Sequence, residues 1–456
     1  MRKKIVILGA GESGRGAALL AMEKGFDVFV SDRGKIATDT EKSFIQWGIP
    51  YESGMHTESK ILKADEIVKS PGIPVTAPVI QKAILAGIPV IDELEFAFRY
   101  ISSPVIAITG TNGKTTTTLL TTHLLDACNL SPVSAGNVGK SLAAAVVENS
   151  EKKYVVEVSS FQIDGMINFK PSIAILLNIT PDHLDRYSNF QQYVDSKIRL
   201  FQKMKRPDSI IVFRDDQTIM DNIGAAKTSG PDIYEISLVQ EVKLGAWMEG
   251  NRLHFRLKEK QAYSLGIEDI GLKGKHNMVN VMASVLATLL SGGDWDKVRG
   301  GVSTFESVPH RMEYVGKVRG IGFVNDSKAT NVEATKYALD SFSEPLVWIA
   351  GGIDKGNDYS LIRELVQQKV NAMVCLGMEN KKLINAFKAD VADLCEVDSM
   401  EKAVKSALKY ARENDVVLLS PACASFDLFK NYEDRGNQFR REVVQHMEFE
   451  KNNKVV

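Results

Sequence analysis

The residues best suited to chemistry lie in the run GTNGKTT at positions 110–116, between a predicted strand and a predicted helix. In such a turn successive backbone N–H groups surround a polyphosphate, while Lys114 reaches its outer oxygens and the Thr115 hydroxyl ligates the bridging magnesium. The run departs from the standard phosphate-loop pattern because Ile108 occupies the place of its first glycine. Strand, turn, Lys-Thr pair and helix nevertheless coincide, so the sequence predicts a nucleoside triphosphate site.

A second glycine-rich turn comes earlier, where Gly9, Gly11 and Gly14 follow a predicted strand and Asp32 ends the next one. The exposed N–H groups at a helix N-terminus suit a phosphate or diphosphate. The same pattern is typical of dinucleotide enzymes and also of glycines that only allow close strand–helix packing. Taken alone, it leaves these alternatives open.

Polar side chains in the central part of the chain add candidate metal ligands. Glu157 lies at the end of the apolar strand YVVEV, where α/β sheets place their ligands, and a carboxylate there needs magnesium or several donors. We favour magnesium. His183 follows a later strand, and Tyr193 and Lys197 are four residues apart on one face of a predicted helix. By residue type alone, His183 and Lys197 are more typical of ordinary polar and solvated positions.

The last third of the chain places charged residues directly after predicted strands. Arg311 follows His310, Asp326 follows the strand at 321–325, and Lys355 follows a pair of glycines. Arginine and lysine at such positions can clamp a phosphate or a carboxylate, and Asp326 can hold a ribose. Solvated loops remain the alternative.

The elements that must position these residues alternate between strand and helix. We predict an α/β fold of three domains: a Rossmann-like domain at 1–102, a central P-loop-type ATPase domain with a side β-sheet at 103–308, and a Rossmann-like domain at 309–456. The side sheet includes a hairpin at 244–257. The other predicted strands span 4–9, 27–31, 66–69, 88–91, 104–109, 154–158, 172–177, 209–213, 321–325, 345–350, 372–376 and 415–420.

Composition excludes several classes of protein. The 456 residues are 44% hydrophobic and 25% charged, which is typical of folded globular proteins. Lys and Arg number 56 against 57 Asp and Glu, so no global field attracts nucleic acid or an anionic membrane. The four cysteines have no disulfide or zinc spacing, and no apolar run approaches the roughly 18 residues of a spanning helix. We therefore expect a cytoplasmic protein.

Eight motifs in order resemble those of the Mur ligase family, and the resemblance spans the chain. They are GTNGKTTT, EVSSFQ, NITPDHLDRY, GKHNMVN, PHRME, NDSKATN, GGIDKG and SPACASFDLFKNYEDRG. The resemblance implies ATP-dependent amide formation through an acyl phosphate. With GAGESG and the SPG triplet, it is greatest to the members that add D-glutamate to UDP-N-acetylmuramoyl-L-alanine, a step of peptidoglycan precursor synthesis.

The resemblance also implies site residues, two magnesium ions and a carbamylated Lys197. The implied catalytic residues are Lys114, His183, Lys197 and Lys328, and the implied metal ligands are Thr115, Glu157, His183 and Lys197. The ATP contacts are Gly110, Thr111, Asn112, Gly113, Lys114, Thr115, Thr116, Asn280, Arg311 and Asp326. The UDP-substrate contacts are Ser13, Asp32, Ser70, Gly72, Asn137, Ser159 and Gln162. The D-glutamate contacts are His183, Thr330, Lys355, Ser425, Phe426 and Tyr432.

The expected partners are small-molecule substrates alone, without nucleic acid or membrane, and the expected state is a monomer. The nearest rival functions are a sibling ligase with another amino acid and a folate polyglutamate ligase. The folate enzyme is disfavoured because about 100 residues precede the phosphate turn here. An NAD(P)-linked oxidoreductase would explain Gly9 and Asp32 but not Lys114, and a regulatory phosphate-loop switch would bind nucleotide without joining substrates.

Overall fold

The structure is a computed structural model of the chain. It describes residues 2–148, 152–182, 186–224, 230–258, 262–272, 275–305, 309–342 and 344–453. The chain forms two compact units. The first comprises Met1–Ile179, Asn189–Ile270 and Asn277–Phe305, and the second comprises Thr180–Ser188, Gly271–His276 and Glu306–Val456.

The first sheet of the first unit is parallel and has five strands in the order β3-β2-β1-β4-β5. Its strands are β1 (Lys4–Leu8), β2 (Asp27–Asp32), β3 (Tyr51–Ser53), β4 (Glu66–Lys69) and β5 (Val90–Asp92). The order runs outward in both directions from β1, which is the switch point at which open α/β sheets bind ligands. The first glycine-rich turn follows β1 and therefore lies at that point.

The second sheet has nine strands in the order β14-β13-β12-β11-β10-β9-β6-β8-β7. Its strands are β6 (Val105–Thr109), β7 (Pro132–Gly136), β8 (Lys153–Glu157), β9 (Ile173–Leu176), β10 (Ser209–Phe213), β11 (Asp232–Ser237), β12 (Gly245–Glu249), β13 (Arg252–Arg256) and β14 (Ala262–Gly266). The predicted hairpin is present as β12 and β13. It continues the edge of the main sheet, because β12 pairs in parallel with β11 and so satisfies that strand's outer backbone groups.

The second unit contains a six-stranded sheet in the order β15-β16-β20-β17-β18-β19. Its strands are β15 (Glu313–Val318), β16 (Ile321–Asn325), β17 (Leu346–Ala350), β18 (Val370–Leu376), β19 (Asp393–Val397) and β20 (Val416–Leu419). Only β15 pairs antiparallel with its neighbour. Buried apolar clusters cover both faces, with Phe323 on one and Trp348 on the other, as expected for a sheet between two helical layers.

Helices connect most of these strands. They span Glu12–Glu23, Thr38–Trp47, Glu58–Ile61, Pro78–Leu85, Glu93–Phe98, Lys114–Ala127, Leu142–Glu148, Ser160–Asp164, Phe190–Ile198, Gln217–Asn222, Lys275–Leu290, Trp295–Thr304, Val332–Asp340, Arg363–Lys369, Lys381–Phe387, Met400–Tyr410 and Tyr432–Asn453. Short 3₁₀ turns occur at Arg199–Phe201, Ile267–Asp269 and Tyr359–Ile362. None of the helices in the described ranges is long and apolar enough to cross a bilayer.

Two buried glutamates link the helix Glu93–Phe98, which follows the five-stranded sheet, to the part of the chain that forms the nine-stranded sheet. Glu93 is buried, and its Oε1 accepts a hydrogen bond of 2.5 Å from the backbone N–H of Ala143. Glu95 is fully buried and accepts the backbone N–H groups of three consecutive residues, 167–169. The helix that carries both glutamates thus docks on backbone donors in the part of the chain that forms the nine-stranded sheet. Burial raises the pKa of Glu93 to about 8.

The predicted α/β fold of three domains is confirmed, but the side β-sheet predicted for the central domain is not separate, because its strands continue the nine-stranded sheet. Each predicted strand is found with ends within two residues of the prediction, and the hairpin is found as well. The sequence did not reveal β3, β7, β11, β14, β15 and β19. All of these except β11 are edge strands of their sheets. The boundaries at 102 and 308 stay a prediction.

Candidate active site

The phosphate turn follows β6 and requires a glycine just before its helix. Gly113 has φ +84°, a left-handed conformation that L side chains rarely adopt, and the helix Lys114–Ala127 begins directly after it. A Cβ at this position would also lie 2.5 Å from Oδ1 of Asn280. Asn280 itself donates to Asn277 and accepts from Thr117, so the predicted ATP contact lies against the turn.

Asn178, which sequence reasoning missed, clamps the phosphate turn from the end of β9. Its Oδ1 accepts the N–H of Asn112 at 2.8 Å, and its Nδ2 donates to the Asn112 carbonyl at 3.1 Å. Its own carbonyl accepts the N–H of Thr111 at 2.9 Å. This arrangement fixes one side of the turn. The sequence feature that could have pointed to Asn178 is an amide side chain just after the buried strand β9. This strand lies next to β6, which leads into the phosphate turn.

Two lysine ammonium groups converge on one carbonyl oxygen of the turn. Nζ of Lys114 lies 2.9 Å from the oxygen of Gly110 and 2.7 Å from that of Thr111. Nζ of Lys197, whose side chain is buried, lies 2.8 Å from the same Gly110 oxygen. Tyr193 contacts both the turn and Lys197, because its hydroxyl lies 3.1 Å from Oγ1 of Thr111 and its ring centroid lies 4.7 Å from Nζ of Lys197. The predicted helix face carrying Tyr193 and Lys197 thus contacts the phosphate turn.

Glu157 ends β8 beside this turn and is 1% exposed. Its Oε1 accepts a hydrogen bond of 2.8 Å from Nδ2 of Asn137, whose N–H also bonds the Glu157 carbonyl. Its Oε2 is buried and has no hydrogen-bond partner in the described part of the chain. A buried carboxylate oxygen without a donor is costly, so a cation is the natural partner. The described residues contain no ready-made cluster of three His, Cys, Asp or Glu ligands.

Ser159 and Gln162, two of the predicted substrate contacts, bind each other. Ser159 is the N-cap of the helix Ser160–Asp164, and it forms a capping box with Gln162. The Ser159 N–H donates to Oε1 of Gln162 at 2.9 Å, and the Ser159 hydroxyl accepts the Gln162 N–H at 3.4 Å. Both side chains therefore have a structural role next to Glu157, whatever else they contact.

The amino-terminal glycine-rich turn supports the packing interpretation. A Cβ at Gly14 would overlap the carbonyl oxygen of Gly9, so the helix approaches the strand too closely for a side chain there. Asp32 accepts the N–H groups of Ala10 at 2.6 Å and Gly34 at 2.7 Å. Oγ of Ser70 is buried and has no hydrogen-bond partner among the residues that the structure describes. The other two predicted contacts of this sheet are Ser13, in the first helical turn, and Gly72, which is exposed.

Asp326 is buried at the end of β16 in the second unit. Its carboxylate accepts Oγ of Ser420 at 2.9 Å and the N–H of Met312 at 3.2 Å. Burial raises the pKa of Asp326 to about 7, although these two donors and the charge of Arg311 oppose the rise. The carboxylate is therefore only partly ionised at neutral pH and loses its charge in mild acid.

The predicted D-glutamate contacts fall in the second unit, except that His183 lies outside the described residues. Nζ of Lys328 lies 3.9 Å from the ring centroid of Tyr432, and Nζ of Lys355 lies 3.5 Å from Oδ1 of Asp182. Phe426 is 69% exposed. The remaining two contacts are Ser425, which is buried, and Thr330, which is half-buried.

Arg435, which the sequence analysis did not single out, joins three loops of the second unit. Its guanidinium donates to the Ser327 carbonyl at 2.8 Å, the Cys423 carbonyl at 3.2 Å and the Gly351 carbonyl at 3.4 Å. Its side chain is 1% exposed, and burial lowers its pKa to about 10, so it is charged at neutral pH. The sequence feature that could have pointed to Arg435 is its place at the end of the motif SPACASFDLFKNYEDRG.

The first unit therefore gathers the phosphate turn, Glu157, Lys197 and Asn280 around β6, β8 and β9. Some of the contacts predicted for the UDP-substrate lie near this group of residues, and the others lie at the ends of β1, β2 and β4. Arg311, Asp326, Lys328 and the D-glutamate contacts belong to the second unit.

Three family models match consecutive parts of the chain. The Mur ligase MurD-like N-terminal domain matches residues 3–92, the Mur ligase middle domain matches 108–288, and the Mur ligase glutamate ligase domain matches 310–423. Together they account for most of the chain, in the order of its three sheets.

Relatives match from end to end. The UDP-N-acetylmuramoylalanine--D-glutamate ligase of Cytophaga hutchinsonii is 46% identical over 98% of this chain and 99% of its own length. The ligase of the same name from Bacteroides thetaiotaomicron is 46% identical over 97% of this chain and 99% of its own length. Among solved structures, a pseudomurein peptide ligase type C from Methanothermus fervidus is similar in fold, with TM-score 0.62, 21% identity and coverage of 97% and 100%.

Proposed function

The chain belongs to the Mur ligase family, and we propose that it joins D-glutamate to UDP-N-acetylmuramoyl-L-alanine in an ATP-dependent step of peptidoglycan precursor synthesis. The observation that carries the choice of substrates is the 46% identity to ligases of that name over nearly the whole chain. The phosphate turn with Lys114 supports the use of ATP.

The reaction needs a leaving group, because a carboxylate is a poor electrophile. In the first step a carboxylate oxygen of the UDP-linked substrate attacks the γ-phosphorus of ATP, and ADP leaves. In the second step the amine of D-glutamate attacks the acyl carbon, loses a proton and displaces phosphate. The contribution of the protein is positioning and charge neutralisation. In the first step Nζ of Lys114 exchanges its hydrogen bonds to the carbonyls of Gly110 and Thr111 for contacts with the outer phosphate oxygens.

The residues around the phosphate turn fit a divalent cation. Oε2 of Glu157 lacks a partner in the described part of the chain, and Thr115 is buried at the first turn of the helix that follows the phosphate turn. We assign magnesium to these two side chains. When bound, the cation neutralises phosphate charge during transfer. Asn137 holds the other oxygen of Glu157 and so orients the free one.

A second magnesium and a carbamylated Lys197 are part of the same proposal, with His183 as a further ligand. The ammonium groups of Lys114 and Lys197 approach one carbonyl oxygen, where two cations repel each other. Reaction of the neutral Lys197 amine with carbon dioxide forms an N–C bond, releases a proton and replaces a cation by an anionic oxygen ligand. The product suits both Lys114 and a metal ion.

Small molecules are the partners that this function requires. We propose that the enzyme works in the cytoplasm as a monomer, with Ser13, Asp32, Ser70, Gly72, Asn137, Ser159 and Gln162 toward the UDP-substrate and Asn280, Arg311 and Asp326 toward ATP. Family membership leaves the NAD(P)-linked oxidoreductase and the regulatory switch without support.

Phosphate release by the purified protein tests the proposal. The assay contains ATP, magnesium and UDP-N-acetylmuramoyl-L-alanine, and each amino acid is added in turn. We expect release only with D-glutamate. Turnover with another amino acid would indicate a sibling ligase, and release that is indifferent to amino acids would indicate a nucleotide switch. Either result would reject the proposed function.

A further inference from the structure

One carboxylate, that of Asp354, organises the turn that follows β17. Its Oδ1 accepts hydrogen bonds from Nζ of Lys382 at 2.9 Å and from the N–H groups of Gly356 at 2.8 Å and Asn357 at 3.0 Å. Its Oδ2 accepts the hydroxyl of Tyr359 at 2.8 Å. Four donors occupy most of the lone pairs of this carboxylate and fix its orientation.

Lys382 reaches Asp354 from a separate element, the helix Lys381–Phe387. Phe387, at the other end of that helix, packs edge-on against the ring of Tyr359, and Nζ of Lys382 lies 5.6 Å from the same ring. Burial alone would raise the pKa of Asp354, but the bonds from Lys382, Tyr359 and the backbone outweigh burial and hold it below its ordinary value. At neutral pH the carboxylate is therefore ionised and compensated by Lys382.

The same turn carries Lys355 and is docked on the loop that holds the predicted D-glutamate contacts. The N–H of Ile353 donates to the carbonyl of Ala424 at 2.8 Å, and the N–H of Ala424 donates back at 3.1 Å. Nδ2 of Asn357 donates to the carbonyl of Ala422 at 3.0 Å. The position of Lys355 relative to that loop therefore depends on the turn that Asp354 holds.

We propose that Asp354 and Lys382 are positioning residues for D-glutamate binding. Lys382 compensates the charge of Asp354, and the turn that they hold presents Lys355, whose Nζ lies 3.5 Å from Oδ1 of Asp182, to a carboxylate of the amino acid. D-Glutamate carries two carboxylates, and an unpaired aspartate next to Lys355 repels them. The inference rests on the proposed function, and it adds two residues that set the affinity for the acidic substrate.

Lys382→Met is the test, because it removes the charge and keeps the length of the side chain. The side chain of Lys382 is 53% exposed, so its pair with Asp354 is worth a factor of about two to five in the KM for D-glutamate. We expect that rise at low salt, a smaller one at high salt, and no change in kcat or in the KM for ATP. Lys382→Arg restores the parent KM. Lys381→Met, whose side chain is 85% exposed on the same helix, is the matched control.

A double-mutant cycle separates charge compensation from a structural role. In the Asp354→Asn background no charge remains to be compensated, so Lys382→Met has no further effect on the KM for D-glutamate. If the parent does not need D-glutamate, the proposed function fails. If the parent needs it but Lys382→Met leaves its KM unchanged, raises the KM for ATP equally, or acts as strongly in the Asp354→Asn background, the inference is overturned.

Discussion

Replacing Glu93 by Gln should make the stability of the protein less dependent on pH. The pKa of Glu93 is raised from 4.5 to about 8, chiefly by burial and also by the nearby charges of Asp92 and Glu12. The bond from the Ala143 N–H opposes the rise but does not cancel it. The folded protein therefore retains a proton that the unfolded chain has released between these two pH values.

The sign and size follow from this difference. Since the folded state binds more protons, the free energy of unfolding falls as pH rises through the window from 4.5 to about 8. Glutamine accepts the same Ala143 N–H but does not titrate. Each pH unit inside the window is worth about 1.4 kcal/mol, so the stability of Glu93→Gln relative to the parent rises by about 2 to 3 kcal/mol between pH 5.5 and 7.5.

Urea unfolding of both proteins at several pH values measures this difference directly, because the contributions of all other groups cancel. Glu23→Gln, a change on the exposed face of a helix, is the control and should follow the parent at every pH. An infrared band of a protonated carboxyl group at pH 7, present in the parent and absent in Glu93→Gln, is a second readout. Parallel stability curves for Glu93→Gln and the parent would refute the reasoning.

Three further predictions concern the catalytic chemistry. Glu157→Gln should raise the magnesium concentration for half-maximal turnover about tenfold or more, as disturbed metal ligation does, and an unchanged requirement in a magnesium titration would contradict the assignment. The KM for ATP should rise as pH falls below about 7, since the carboxylate of Asp326 becomes protonated there, and the profile of Asp326→Asn should be flat; equal profiles would exclude the role. Removal of carbon dioxide should lower turnover until bicarbonate is added, and Lys197→Ala should be inactive in both conditions; turnover indifferent to bicarbonate would argue against the carbamate.

Much of the fold follows from local pattern. Buried strands such as Ile173–Leu176 are short apolar runs between turn residues, and the helix from Lys114 begins directly after a glycine, so their positions are visible in the sequence. Strand order is a different matter. The parallel pairing of β11 with β12 depends on which edge remains open after the other strands have paired, and no local pattern contains that information.

The candidate site was predictable in its motifs and less so in its supporting contacts. Lys114 and Glu157 are recognisable because their types and positions at strand ends indicate phosphate and metal chemistry. Asn178 and Asp354 are ordinary loop residues in the sequence. Asn178 binds the backbone of Asn112, and Asp354 binds the side chain of Lys382; only the folded structure brings these distant groups within hydrogen-bond distance.

The buried guanidinium of Arg435 has a consequence for engineering and for divergence within the family. One side chain donates hydrogen bonds to the main chain after β16, after β17 and after β20. It therefore holds three segments that are distant in sequence in fixed positions relative to one another. A chimaera that imports only one of these segments with a different backbone path moves a carbonyl away from the guanidinium and leaves a buried N–H of Arg435 without its acceptor. Transplanting specificity would therefore require exchange of all three segments together with the carboxyl-terminal helix that supplies the arginine.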